Sequence, residues 1–121
     1  MSRILIVEDE EVLTASLQDI LTYEGHQVTT ALTGREALEK LRTEELELVL
    51  LDLMIPLVDG VTVLQTLRRE RPTTRVVVVT SCGREALQGL PVEGFLRKPF
   101  SLDALLRLVD STLEQSAASG K

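Results

Sequence analysis

Apolar and polar positions along this chain fall into blocks of two kinds. Residues 3–7 open on Arg3 and continue as Ile4-Leu5-Ile6-Val7, an uninterrupted apolar run of the sort found in a strand covered on both faces. Residues 11–23 then place Leu13, Leu17, Ile20 and Leu21 on one face of a helix, and Gly25 follows as a stop. His26 to Ala31 reads as a short second strand. Thr33-Gly34-Arg35-Glu36 has capping-box spacing and predicts a helix to about Leu41. Leu46 to Leu53 is a third strand. Pro56 and Asp59-Gly60 make a loop by turn chemistry, with no catalytic role assigned, and Val61 to Arg69 reads as a helix with Pro72 beyond it.

The second half repeats the alternation less regularly. Val76-Val77-Val78-Val79 is the clearest strand, ending at Thr80-Ser81. Residues 84–88 allow a helical turn or two between Gly83 and Gly89, and Phe95-Leu96 is a short last strand. Ser101 caps a final helix with the apolar stripe Leu102, Leu105, Leu106, Val109 and Leu113. Ser116 to Lys121 reads as a flexible tail or the start of a linker, bounding the folded unit at residues 1–115. Five strands alternating with helices predict an α/β domain whose parallel sheet carries helices on both faces.

Composition narrows the picture. The 121 residues suit one domain, and with 44% hydrophobic but 2% aromatic residues the core must be Val, Leu, Ile and Ala. The net charge of -6 argues against direct nucleic acid binding by this chain. The single cysteine, Cys82, permits no internal disulfide. No apolar run approaches the roughly 20 residues that cross a bilayer, so neither a membrane span nor export is expected and the cytoplasm is the expected location.

In open α/β sheets, ligands bind beyond the carboxyl ends of the strands. The first strand ends at Glu8-Asp9-Glu10, the third near Asp52, the fourth at Thr80-Ser81, and the fifth runs into Lys98-Pro99. Three carboxylates confined together repel one another, a cost that a divalent cation relieves. Hard oxygen donors favour Mg²⁺, which keeps waters and shares its shell with phosphate. A lysine and a hydroxyl then match phosphate oxygens, and a carboxylate is a competent nucleophile for an acyl phosphate. Glu10 reads as a charge complementing the helix dipole, His26 as a surface residue, and Cys82 as small and at least half-buried.

These four segments resemble the response-regulator receiver family of two-component signal transduction, of the CheY-like kind. The resemblance is carried by Ile4 to Glu10, Asp52 to Gly60, Thr80-Ser81 and Phe95 to Phe100, and spans Arg3 to about Leu113. It implies a flavodoxin-like sheet in the order 2-1-3-4-5. It implies Asp52 as phosphoacceptor, Asp9 as a direct Mg²⁺ ligand with Asp52, Glu8 as an acidic neighbour that acts on the metal largely through water, and the Met54 backbone carbonyl as a further ligand. It implies Thr80 and Phe95 as switch residues, Lys98 as the partner of a phosphoryl oxygen, and a cis Lys98-Pro99 bond. The implied partners are a sensor histidine kinase or histidine phosphotransfer protein, and a downstream effector protein or domain.

The chain departs from the family in three places. Thr80 to Lys98 is shorter than usual and holds Gly83, Gly89 and Pro91, so the fourth helix should be short or irregular. The side chains two places beyond the aspartate and the threonine, which tune hydrolysis in the family, are Met54 and Cys82, neither suited to hold a water. Phe95 stands where Tyr is more usual, and its inward position should cost less desolvation. Two other readings stay open: an interaction module that never carries phosphate, and a small phosphatase or flavodoxin-like carrier, though no second general acid or flavin-stacking set is evident.

Overall fold

The computed structural model describes residues 2–119, with side chains described for residues 2–114. The apolar runs form a five-stranded, wholly parallel sheet of β1 (Arg3–Val7), β2 (Gln27–Ala31), β3 (Leu48–Leu51), β4 (Arg75–Thr80) and β5 (Gly94–Arg97). Its spatial order is β2-β1-β3-β4-β5, the expected order. The chain steps from β1 outward to β2, then crosses back over β1 to β3. That reversal leaves a crevice beyond the ends of β1 and β3, where ligands bind in sheets of this type.

Alternation along each strand splits the core in two. Leu5 and Val7 of β1, Val49 and Leu51 of β3, and Val76 and Val78 of β4 face α2 (Gly34–Thr43) and α3 (Gly60–Glu70). Ile4, Ile6, Leu48, Leu50, Val77 and Val79 face α1 (Glu11–Tyr23) and α4 (Leu102–Ser119). Successive strand residues point to opposite faces, so a central strand covered on both sides has no polar position to spare. That is why these strands read as unbroken Leu and Val.

Capping sets the helix starts. Thr33 accepts the Glu36 N–H at 3.1 Å, while the Glu36 carboxylate takes the N–H of Leu32, one residue earlier than in the reciprocal box. Ser101 accepts the Ala104 N–H at 3.1 Å. Asp59, read from sequence as turn chemistry, is the N-cap of α3 and accepts the Thr62 N–H at 2.9 Å. Asp serves both purposes because its side chain mimics a backbone acceptor.

Some boundaries differ from expectation. β3 is Leu48–Leu51, shorter than 46–53, because Leu53 lies beyond the pairing with β1 and β4. Between β4 and β5 stands a 3₁₀ segment, Arg84–Leu87, in place of a full helix. Gln88 at φ 54° and Gly89 at φ 80° turn the chain left-handed directly after it, and Pro91 follows, so no helix can propagate. α4 continues past Ser116, where a tail was expected to begin, to Ser119. No Gly or Pro interrupts it before Gly120. Gly120 and Lys121 of the expected tail lie outside the described residues. Among the described residues no helix is long and apolar enough to cross a membrane.

Gly60 anchors α3 against the end of β3. Its N–H donates to the Leu53 carbonyl at 3.1 Å, and a Cβ there would stand 2.3 Å from Leu53 Cα and 2.5 Å from the Asp52 carbonyl oxygen. Backbone cannot yield as a side-chain tip can. Gly60→Ala should therefore lower the unfolding free energy by roughly 1–3 kcal/mol, the range for overpacking, when measured by urea denaturation.

Candidate functional site

Loops leaving β1, β3, β4 and β5 meet at one edge of the sheet. Glu8 follows β1 directly, and its N–H extends the ladder to the Ala31 carbonyl at 3.0 Å. The residue is 4% exposed, and its side chain folds back over the start of α1, where Oε2 accepts the Glu10 N–H at 3.1 Å. Its carbonyl accepts the Thr14 hydroxyl at 3.0 Å. Asp9, one residue on, points to solvent. Asp52 follows β3 in the same way, with its N–H on the Val7 carbonyl at 2.9 Å and 5% exposure.

The two buried carboxylates share one cation. Lys98 Nζ lies 2.7 Å from Glu8 Oε1 and 2.9 Å from Asp52 Oδ2. The Lys98 backbone is itself fixed, its N–H donating to the Thr80 carbonyl at 2.8 Å ahead of a cis Lys98-Pro99 bond, as expected. The Met54 N–H donates to Asp52 Oδ1 at 3.0 Å, while the Met54 side chain is exposed. Carboxylate oxygens of Glu8, Asp9 and Asp52 all lie within 4.8 Å of one another. Three hard oxygen donors at this spacing, with Asp9 on the open side, could hold a metal ion of the Mg²⁺ type.

The remaining residues sit around this centre. Thr80 is fully buried and its hydroxyl accepts the Cys82 N–H at 3.4 Å. Cys82 is half-buried, as expected. Phe95 lies opposite Val78 in β5, half-buried against the α2–α3 side of the core. Its ring is covered by the guanidinium of Arg84, whose carbon is 4.9 Å from the ring centroid. Glu10 is exposed near the start of α1. His26, expected on the surface, is half-buried before β2 at the opposite edge of the sheet, its Nδ1 accepting the Ser2 N–H at 3.2 Å.

The loop after Asp52 is strained. Leu57 at φ 63° and the β-branched Val58 at φ 113° both occupy backbone conformations that L-residues rarely adopt, at a cost of order 1–3 kcal/mol each. The loop is held by the bond from the Gly34 N–H to the Pro56 carbonyl at 3.1 Å. No pattern in the sequence announces this strain, nor the Arg84 contact, whose partner lies eleven positions away. The cap at Asp59 was legible, since an Asp directly before a helix is itself a start signal.

Burial and charge act in opposite senses on the pair. Burial pushes the Glu8 carboxyl above its ordinary value of 4.5, the bonds from Lys98 and Glu10 offset part of this, and the neighbouring Asp52 charge adds to it. Burial alone would lower the Lys98 ammonium, but its hydrogen bonds to Glu8 and Asp52 outweigh it and hold the group above 10.5. The directions agree physically: Lys98 gains from two acceptors, while the more deeply buried Glu8 shares one donor with a like charge.

The fold and this edge of the sheet identify the class. A family profile described as "Response regulator receiver domain" matches residues 4–110. The chain belongs to that family, the receiver domain of two-component response regulators, and receiver domains are signalling domains. The transcriptional regulatory protein TcrA of Mycobacterium tuberculosis is 42% identical over 107 residues, covering 85% of this chain and 42% of that protein. The alkaline phosphatase synthesis transcriptional regulatory protein PhoP of Bacillus subtilis is 35% identical over 118 residues, covering 94% of this chain and 49% of that protein. The chain thus spans about half the length of the curated relatives it matches. Among solved structures, a CheY-like receiver domain protein from Methanospirillum hungatei JF-1 superposes with a TM-score of 0.93 at 28% identity, covering 98% of each chain. The response regulator TrrA of Thermotoga maritima, solved in complex with Mg²⁺-BeF, gives 0.85 at 30% identity, covering 93% of this chain and 99% of that one.

The raised Glu8 carboxyl has a definite consequence for stability. The folded state holds this proton to higher pH than the unfolded chain does, so the contribution is complete below pH 4.5 and is lost as pH rises through the folded value. In chelated buffer, the unfolding free energy of the wild-type chain should fall relative to Glu8→Gln as pH climbs from 4.5 toward neutrality. Urea titrations of both proteins across that window measure the difference.

Proposed function

We propose that Asp52 accepts a phosphoryl group from a phosphohistidine on a sensor histidine kinase or histidine phosphotransfer protein. The single observation that carries this reading is the Lys98 ammonium placed between two buried carboxylates, one of them Asp52, beside the open carboxylate of Asp9. In the transfer, an Asp52 carboxylate oxygen bonds to phosphorus as the phosphorus–nitrogen bond breaks. The protonated phosphoimidazole leaves as neutral histidine. Nothing else is consumed.

The chain's residues act by position and charge, which is most of the catalysis such a transfer needs. Met54 N–H and Lys98 orient the Asp52 carboxylate, and Lys98 then turns from carboxylate to phosphoryl oxygen. The Thr80 hydroxyl, engaged by Cys82 in the resting chain, is the group that moves to a further oxygen. Glu8, Asp9, Asp52 and the Met54 carbonyl would hold Mg²⁺, which when bound neutralises the gathering negative charge. An apolar groove beside the site, lined by Leu13, Leu17, Ile20, Phe100 and Leu102 together with Lys98 and Ser81, offers the donor protein a surface to hold. The modified site then changes the surface around β5 and its flanking segments, read by an effector protein or domain. The resting structure equally suits an interaction module that never carries phosphate, and modification at Asp52 is what separates the two.

Two outcomes are expected. Incubation with acetyl phosphate and Mg²⁺ should add the mass of one phosphoryl group to the intact chain. Neither Asp52→Asn nor chelated wild type should gain it, and an unmodified wild-type mass would sink the proposal. The acyl phosphate should also be long-lived, because the side chains of Met54 and Cys82 offer no strong hydrogen bond to an attacking water. Met54→Gln restores one such bond, worth about 1 kcal/mol, and should shorten the half-life roughly fivefold. Loss of the label from wild type within seconds would contradict it.

A further inference from the structure

The segment between β4 and β5 holds a contact that the phosphoryl chemistry does not use. Arg84 opens the 3₁₀ segment Arg84–Leu87, and its guanidinium carbon lies 4.9 Å from the centroid of the Phe95 ring. Phe95 is half-buried and packs against the apolar cluster between the sheet and α2 and α3, the same cluster that Ala86, Leu90 and Val92 of the β4–β5 passage pack against. A phenylalanine has no hydroxyl with which to hold a position by hydrogen bonding. What fixes this ring is packing on its inner side and a cation on its face.

The same segment is tied to the site by a short run of bonds. The Cys82 N–H donates to the Thr80 hydroxyl at 3.4 Å, a long bond that yields easily. Arg97 Nε, two residues beyond Phe95, donates to the Ser81 carbonyl at 3.2 Å. Arg84 comes two residues after Cys82. The segment's own hold is slight, being one 3₁₀ turn ended by Gln88 and Gly89 at positive φ. Turning the Thr80 hydroxyl toward Asp52 releases the Cys82 N–H, and with it the start of the segment that carries Arg84.

We propose that Arg84 is a latch on Phe95: its stacked guanidinium holds the ring in the half-buried position of the unmodified chain, and modification of Asp52 must undo this stack before the ring moves. The inference rests on the reading of Asp52 as phosphoacceptor and Phe95 as switch residue. The stack stabilises the resting arrangement alone, so it lowers the fraction of chains competent for a phosphoryl-like ligand, and the apparent affinity falls by the same factor. For an exposed cation–π contact that factor is about two- to fivefold. The sign is distinctive. By Coulomb's law, deleting a cation from a chain that binds an anion weakens binding, whereas deleting a latch tightens it.

The test uses the full chain labelled with 4-fluorophenylalanine. It has two phenylalanines, Phe95 and Phe100, so the fluorine spectrum holds two lines, and Phe100→Leu assigns them. Affinity for beryllofluoride with Mg²⁺ is measured by calorimetry. Arg84→Gln should bind about two- to fivefold more tightly, with the Phe95 line already displaced before ligand is added. In a Phe95→Leu background the same substitution should produce no tightening. Arg84 is exposed, so the core is untouched by the change. Unchanged or weaker binding by Arg84→Gln, an unmoved Phe95 line, or equal tightening without the ring would each overturn the latch while leaving the phosphoacceptor reading intact. A wild-type chain that does not respond to beryllofluoride at all would overturn both.

Discussion

Lys98 reaches between Glu8 and Asp52 with its ammonium 2.7 Å and 2.9 Å from their oxygens, at the rim of a sheet whose interior is hydrocarbon. Two buried carboxylates without a cation would be prohibitively costly, since each charge loses water and repels the other. One ammonium for two carboxylates leaves the rim short of positive charge. The site is therefore poised: balanced enough for the domain to fold, and unbalanced enough to favour an arriving cation. Backbone pairing brings the groups that meet this requirement to one edge. Glu8 extends β1, Asp52 extends β3, and Lys98 is fixed by its bond to the Thr80 carbonyl.

What makes so small an imbalance usable is the rigidity of the support. β1, β3 and β4 are packed on both faces, each residue committed to one core or the other, so their ends cannot drift. Asp52 follows the last residue of β3 and is tied to this packing by its N–H to Val7 and by the close approach of Gly60. Strain at Leu57 and Val58 lies downstream of Asp52, in the loop that joins β3 to α3. Rigid strands and a strained loop thus meet at the residue proposed to react.

The other side of the sheet's edge is built differently. Most of the chain follows the regular alternation of its family, but the passage from β4 to β5 contracts to a four-residue 3₁₀ segment. Side-chain bonds tie this passage to its surroundings. Arg68 pairs with Glu93 at 3.1 Å, and Glu93 also receives the Val76 N–H at 2.6 Å, which holds the approach to β5. Arg97 bonds the Ser81 carbonyl, and Arg84 covers Phe95. A surface held by single side chains changes at lower cost than one held by helix packing, since fewer contacts must be released together.

Much of this was legible in the chain. The apolar runs of β1 and β4, the stripe on α4 and the cap at Thr33 are local patterns, and local geometry determines them. The acidic, hydroxyl and lysine residues were recognisable because each follows a strand, and parallel strands deliver their ends to one edge. The irregular segment before β5 was legible from Gly83, Gly89 and Pro91, since backbone restrictions act locally too. Tertiary structure alone decided that Lys98 pairs with Glu8 as well as Asp52, that the Cys82 N–H meets the Thr80 hydroxyl, and that Arg84 lies on Phe95. The Lys98 pairs join residues 90 and 46 positions apart, and the two shorter-range contacts depend on side-chain angles that no pattern of residue types sets. A pattern of residue types fixes which way a side chain faces within its own element, but not which of several neighbours it meets.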